Sequence, residues 1–264
     1  MNVLELNHLS IRYKNGKEAV RDVSLVVPEK AIVAIVGESG SGKSTIIRGV
    51  LHLLPAGGRI TDGSIRFGDK NMRDYTDEEV RRMRGKDMAM IFQDAGDYLN
   101  PRRKIGGQFM ETISAHQTMS KPQRRALATE MLTKMKLHDP EQIMNSYPFQ
   151  LSGGMRQRVA IAMAMSMKPR LLMADEPTSA LDATVQAQVV KEMIDLKNTY
   201  GTAIMIVTHN MGVASKMADY IAVMKDGRLM EFGERDQVIF KPASDYTKQL
   251  LAAVPRLEVD HRCN

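Results

Sequence analysis

The chain has 264 residues, 43% hydrophobic and 26% charged, which suits a globular unit with a sizeable core and excludes a disordered or fibrous protein. Its formal charge of +6, from 37 basic and 31 acidic residues, is spread along the chain. The clusters Arg81, Arg82, Arg84 and Arg102, Arg103, Lys104 read as solvated faces, with no nucleic-acid module beside them. The single cysteine, Cys263, excludes an intrachain disulfide or a thiolate metal cage, and no apolar run approaches the roughly 20 residues that span a bilayer.

The N-terminal MNVLELNHLSIRY lacks the basic-then-apolar layout of a signal peptide. Residues 3–13 and 18–27 alternate apolar and polar side chains around Asn15-Gly16, a pair that accepts the positive φ angles of a tight turn; they predict a β-hairpin. AIVAIV (31–36) is a short unbroken apolar run, which predicts a strand buried on both faces. It leads into the glycine-rich GESGSGKST (37–45), after which STIIRGVLHLL predicts a helix halted by Pro55 and Gly57-Gly58. From about Asp94 to Lys168 the chain is rich in charged and helix-forming residues, as in KPQRRALATEMLTKMKL (121–137). Buried-strand patterns return in LLMAD (171–175) and AIMIVT (203–208), and Asp226-Gly227 divides YIAVMKDGRLMEF (220–232) into a second hairpin. Strands on both sides of a helical block predict an α/β core interrupted by a helical insertion. The 21 methionines read as core filling and adaptable contacts rather than metal ligands.

Gly37 to Ser44 fits GxxxxGK[ST] between a buried strand and a helix, the context that a phosphate-binding loop requires. Gly37, Gly40 and Gly42 let the backbone N–H groups of the loop, with Glu38, Ser39 and Ser41, turn toward phosphate oxygens. Lys43 supplies a point charge to the β- and γ-phosphates, Ser44 offers a hydroxyl to Mg²⁺, and the helix starting through Thr45 adds its dipole. ATP and Mg²⁺ are the expected ligands. In LLMADE (171–176) an apolar strand delivers Asp175 to the sheet rim, where it can hold the Mg²⁺ hydration shell; Glu176 can act on the attacking water as general base or positioning group.

Those two motifs occur in many nucleotide-binding proteins. LSGGMRQR (151–158) is more specific: it resembles the signature motif of ABC ATPases, usually written LSGGQ, with Met155 in the last place. Further resemblances follow the family's order, with Gln93 in IFQD like the Q-loop, SALD (179–182) like the D-loop, His209 in VTHN like the switch histidine, and Tyr13 in the place of the adenine-stacking aromatic. Ser152, Gly153 and Gly154 leave backbone N–H groups exposed at the start of an apolar helix, a second anion-binding terminus beside the phosphate loop.

The resemblance runs from about residue 3 to residue 254. It implies an α/β fold: a P-loop NTPase (RecA-like) core with an N-terminal antiparallel β subdomain and an inserted α-helical subdomain. Residues 1–93 and 169–230 would form the core, 94–168 the helical signature subdomain and 231–264 a C-terminal extension. It also implies that Ser152, Gly153 and Gly154 close over the γ-phosphate held by a second ATPase subunit, identical or different. Gln93 would touch Mg²⁺ and the water, His209 would contact the γ-phosphate and orient Glu176, and Asp182 would couple the two sites.

Within the family, VGESGSGKS, LNP (99–101), SYPFQLSGGMRQR and YTKQLLAAVP (246–255) resemble the peptide and nickel importer group. QDAGDYLNP departs from the group's more usual QDPMTSLNP, in the loop that contacts the membrane subunits. The implied protein is an ATP hydrolase at the cytoplasmic face of the membrane. It would drive uptake of peptides or nickel and metal chelates through two separate permease subunits, fed by an extracytoplasmic solute-binding protein. Cys263 alone implies no iron–sulfur cluster of the kind some longer relatives carry. The alternative, a soluble ABC ATPase acting on ribosomes or DNA, usually has two ATPase domains or a long coiled-coil insertion. One motif set and the insertion at 94–168 resemble the transporter kind, for which no nucleic-acid partner is expected.

Overall fold

Asn15-Gly16 joins two antiparallel strands, β1 (Asn2–Arg12) and β2 (Glu18–Pro28), which pair from Asn2↔Pro28 to Arg12↔Glu18. This is a computed structural model describing residues 1–253. β4 (Arg59–Phe67) pairs antiparallel with the other side of β1, and the two-residue β5 (Lys70–Asn71) completes a four-stranded sheet in the order β2-β1-β4-β5. Thr61, Asp62 and Gly63 break the apolar alternation of β4, so its sequence carries little strand signal.

The second sheet has the order β10-β9-β3-β8-β7-β6. β3 (Ile32–Val36), β6 (Met88–Ile91), β7 (Leu171–Asp175), β8 (Ala203–Thr208) and β9 (Tyr220–Lys225) run parallel, and β10 (Arg228–Glu234) pairs antiparallel with β9 at the edge. The unbroken apolar runs have a plain cause. Along β3, Val33 and Ile35 join a core shared with the small sheet, whereas Ile32, Ala34 and Val36 join a core under the helices; β8 divides likewise between Met205, Val207 and Ile204, Ile206. Both faces are covered, so both sets must be apolar. The sheet continues to Glu234, past residue 230 where sequence reasoning ended the core.

The helices are α1 (Lys43–Val50), α2 (Asp77–Met83), α3 (Ile105–Ser114), α4 (Lys121–Lys134), α5 (Pro140–Asn145), α6 (Gly153–Met165), α7 (Ala183–Tyr200), α8 (Met211–Met217), α9 (Arg235–Phe240) and α10 (Asp245–Ala252). From Asp94 to Lys168 the regular elements are α3 to α6 and short 3-10 turns, with β6 just before and β7 just after. α1 stops at Val50 rather than Leu54. His52 adopts a left-handed conformation (φ 53°), and the N–H groups of His52 and Leu53 turn back to the carbonyls of Gly49 (3.2 Å) and Arg48 (2.8 Å). This closure satisfies the last carbonyls of the helix before Pro55 is reached.

Because β3, β8, β7 and β6 are parallel neighbours, their C-terminal ends line one rim. The register Val36↔Thr208, Asp175↔Val207 and Ile91↔Ala174 brings Gly37, His209, Glu176 and Phe92-Gln93 out along that rim. In open α/β sheets this is where ligands bind.

Candidate nucleotide site

Residues 37–42 form the loop between β3 and α1. Two glycines there are irreplaceable on steric grounds. A Cβ on Gly37 (φ 152°) would lie 2.1 Å from the Met224 carbonyl oxygen, and one on Gly42 (φ 100°) would lie 2.2 Å from that of Ala19. Lys43 bends over the loop, its Nζ donating to the carbonyls of Gly37 (2.8 Å) and Glu38 (2.7 Å). Burial lowers its pKa, opposed by the charges of Glu176, Asp175 and Glu38. Glu38, Ser39 and Gly40 are exposed, and Ser41, Gly42 and Thr45 are buried.

Ser44 Oγ donates to Asp175 Oδ1 at 2.8 Å, joining α1 to the end of β7. Asp175 is only 6% exposed, and burial raises its pKa above the ordinary carboxylate range despite that hydrogen bond. A buried carboxylate hydrogen-bonded to a hydroxyl is a pair of hard oxygen donors, so the residues fit Mg²⁺. Glu176 follows in a left-handed conformation (φ 48°), its N–H bonded to the Val207 carbonyl at 2.9 Å. His209 Nδ1 lies 3.0 Å from Glu176 Oε2, so two strand ends place the two side chains against each other. Tyr13 is half-buried at the end of β1, and its hydroxyl bonds Thr45 Oγ1 at 2.7 Å.

The structure thus brings together Tyr13, residues 37–45, Asp175, Glu176 and His209. Gln93 is exposed two residues beyond β6 and makes none of these hydrogen bonds among the described residues. The signature tip also stands apart. Ser152 caps α6 by accepting from Met155 N–H at 3.3 Å, and Ser152 and Gly153 are exposed. No hydrogen bond among the described residues joins the tip to residues 37–45. A Cβ on Gly153 would meet nothing within 4 Å. Asp182 caps α7, accepting from Thr184 N–H (3.1 Å) and Val185 N–H (3.0 Å).

Two glutamines went unnoticed as site residues in the sequence. Gln157 on α6 is 6% exposed and donates to the Pro177 carbonyl at 2.6 Å; Gln186 on α7 donates to Thr178 Oγ1 at 3.0 Å. Gln157 lies inside the LSGGMRQR phrase, but an uncharged amide gives no chemical signal until its partner is known. Among the described residues no group of three or more His, Cys, Asp and Glu side chains is arranged to hold a metal ion, and Cys263 lies outside them.

The family model described as ABC transporter matches residues 20–179. The chain belongs to that family. It is an ATP-binding, ATP-hydrolysing subunit of an ABC transporter, in the peptide importer group. It is 42% identical over 260 residues to the oligopeptide transport ATP-binding protein AppD of Bacillus subtilis (strain 168), covering 97% of this chain and 79% of that one. It is 40% identical over 262 residues to the dipeptide transport ATP-binding protein DppD of the same organism, with 98% and 78% covered. Among solved structures, the ATP-binding cassette MJ0796, in a dimeric post-hydrolysis state bound to ADP and Pi, superposes with a TM-score of 0.77. It is 30% identical, with 88% of this chain and 98% of that chain covered. No helix among the described residues is long and apolar enough to cross a membrane.

Proposed function

We propose that this ABC subunit works as half of a head-to-tail dimer, with ATP held between the phosphate loop of one subunit and the signature tip of the other. The carrying observation is the exposed start of α6. Ser152 caps its own helix, Gly153 stands in open space, and the chain's own phosphate loop makes no hydrogen bond to either among the described residues. An exposed helix terminus with free N–H groups is an anion site in search of a ligand. The dimeric MJ0796 cassette with ADP and Pi supports the same reading.

In this reading the loop N–H groups and Lys43 bind the phosphates, and Tyr13 stacks on adenine. Ser44, Gln93 and, through water, Asp175 would hold Mg²⁺, which when bound neutralises charge on the transferring phosphoryl group. Glu176 takes the proton of the attacking water as general base or fixes its position. His209, 3.0 Å from Glu176, orients that carboxylate and contacts the γ-phosphate. Asp182 couples the two sites. Closing the dimer bridges the two surfaces through nucleotide, and hydrolysis leaves repelling phosphates that reopen it.

The motion would be delivered to two membrane permeases at the cytoplasmic face. The contact we propose is the apolar groove of about 270 Å³ beside the Gln93 loop, lined by residues including Met90, Phe92, Tyr98 and Met163. Phe92 and Tyr98 stack there with ring centroids 5.0 Å apart. The cargo we propose is peptide, delivered by a solute-binding protein; the relatives with named oligopeptide and dipeptide cargo support this over a nickel chelate. The domain division is proposed as drawn from the sequence, with β10 added to the core.

The test is Glu176→Gln. It is expected to bind ATP normally and to accumulate an ATP-dependent dimer, with its second ATPase subunit if that is a different chain, while kcat falls by about 10²–10⁴. Near-normal hydrolysis would remove Glu176 from the role, and a tip that stays solvent-accessible to labelling in the ATP-loaded variant would sink the shared site. Lys43→Ala is expected to weaken ATP binding itself. In vesicles carrying the complete transporter, peptide should stimulate ATP turnover and a nickel chelate should not.

A further inference from the structure

We infer that Gln157 is a positioning residue for Glu176, tying the signature tip of each chain to that same chain's hydrolytic carboxylate; this rests on the role proposed above for Glu176. Glu176 is a non-glycine residue at φ 48°, a backbone state that persists only where surrounding contacts impose it. Those contacts come from separate elements. The Glu176 N–H bonds Val207 of β8 (2.9 Å), the Pro177 carbonyl accepts from Gln157 of α6 (2.6 Å), and Thr178 accepts from Gln186 of α7 (3.0 Å). The Glu176 carbonyl closes the turn by accepting from Ser179 N–H (3.3 Å) and Oγ (3.1 Å). Proline has no N–H, so the Pro177 carbonyl is the hydrogen-bonding group of that residue through which the backbone after Glu176 can be gripped.

Of the three anchoring elements, α6 alone begins at the exposed tip that closes on the neighbouring nucleotide. Gly153 and Gln157 lie four residues apart on it, about one helical turn, so the tip and the amide move as a single body. Beside this hydrogen bond is a cavity of about 150 Å³, lined by residues including Asp94, Gly96, Arg156, Gln157, Glu176 and Pro177. It leaves α6 room to shift against the turn, where a packed interface would resist. Gln157 is neutral, so it does not alter the charge of Glu176; it sets where the carboxylate stands. Engagement of a chain's tip with the second nucleotide is thereby conveyed through Gln157 and Pro177 to that chain's own Glu176. Hydrolysis in each site then depends on the occupancy of the other.

The experiment measures ATP turnover of the complete transporter carrying Gln157→Met or Gln157→Glu, with Glu176→Gln alongside. Gln157→Met keeps the side-chain volume and removes the donor. Its kcat is expected to fall about tenfold while KM for ATP stays within about twofold. Gln157→Glu presents a carboxylate that repels the Pro177 carbonyl when ionised but donates to it when protonated. The ratio of its kcat to that of the unmodified chain should therefore rise as the pH is lowered from about 8 to about 5.5. Damage to packing alone would give a ratio flat with pH, and that result overturns the inference, as does an unchanged kcat in Gln157→Met. Should Gln157→Met fail to fold, the pH ratio of Gln157→Glu decides. A Glu176→Gln protein that still hydrolyses ATP would instead overturn the role of Glu176. An inactive Glu176→Gln with normal Gln157 variants removes only the positioning role.

Discussion

Gly154 stands so close to Val185 that a Cβ added to the glycine would lie 2.8 Å from Val185 Cγ1, whereas its neighbour Gly153 faces open space. Adjacent signature glycines are therefore constrained differently: Gly154 lets α6 pack on α7, whereas a side chain at Gly153 would meet no atom of this chain within 4 Å. Gly154→Ala should lose about 1–3 kcal/mol of stability by overpacking. Adding Val185→Ala should recover most of that loss. Gly153→Ala should leave the melting temperature equal or slightly raised, since alanine favours helix, yet abolish ATP-driven dimerisation. Thermal melting and light scattering with ATP separate the two.

Asp175 should make the nucleotide-free protein less stable as the pH rises. Burial raises its pKa, so the folded chain holds that proton more tightly than the unfolded chain. Stability then declines as the pH climbs from the ordinary carboxylate range through the raised value. Asp175→Asn should melt higher at neutral pH, a gain on the order of 1 kcal/mol being about 2–4 °C in a domain of this size. The gain should shrink in acid, where aspartate is protonated in both states. ATP turnover should be lost at every pH.

Arg158 Nε faces Glu192 Oε2 at 3.2 Å between α6 and α7, with the two side chains 12% and 2% exposed. Burial raises the pKa of Glu192, opposed first by Arg158. Removing one partner strands a charge, so Arg158→Met should lose about 3–5 kcal/mol in denaturant unfolding, and Arg158→Met with Glu192→Leu should recover most of it. A double variant no more stable than the single one would show that the pair is not what the helices need.

Tyr13 offers two separable contributions, its ring and its hydroxyl. Tyr13→Phe loses the 2.7 Å bond to Thr45 but keeps the ring, and KM for ATP should change by no more than about threefold. Tyr13→Ser loses the stacking surface as well, worth about 1–3 kcal/mol, and KM should rise about tenfold or more. Equal KM values for the two variants would argue against stacking.

Strands β3, β7 and β8 were legible because both of their faces are covered, which forces unbroken apolar runs of strand length. The hairpins at Asn15-Gly16 and Asp226-Gly227 were legible because their turns need residues that accept positive φ, as Gly16, Asp226 and Gly227 do. β4 was not, because its exposed face and the Asp62-Gly63 irregularity leave too few apolar positions to mark it. The end of α1 was misplaced because a left-handed His52 closed the helix ahead of any proline or glycine signal.

What the sequence determined by itself is a set of motifs: a glycine loop with Lys43 and Ser44, the Asp175-Glu176 pair after an apolar strand, His209 after another, and a serine-glycine helix start. These are local patterns, because a loop's backbone geometry and a strand's last residue are written in a few consecutive positions. The resemblance implied that His209 orients Glu176, and the tertiary structure sets the two 3.0 Å apart; only the tertiary structure decided that Ser44 meets Asp175 and that Gln157 grips Pro177 twenty positions along the chain. Those contacts depend on strand order and register, which arise from burying both faces of one sheet at once.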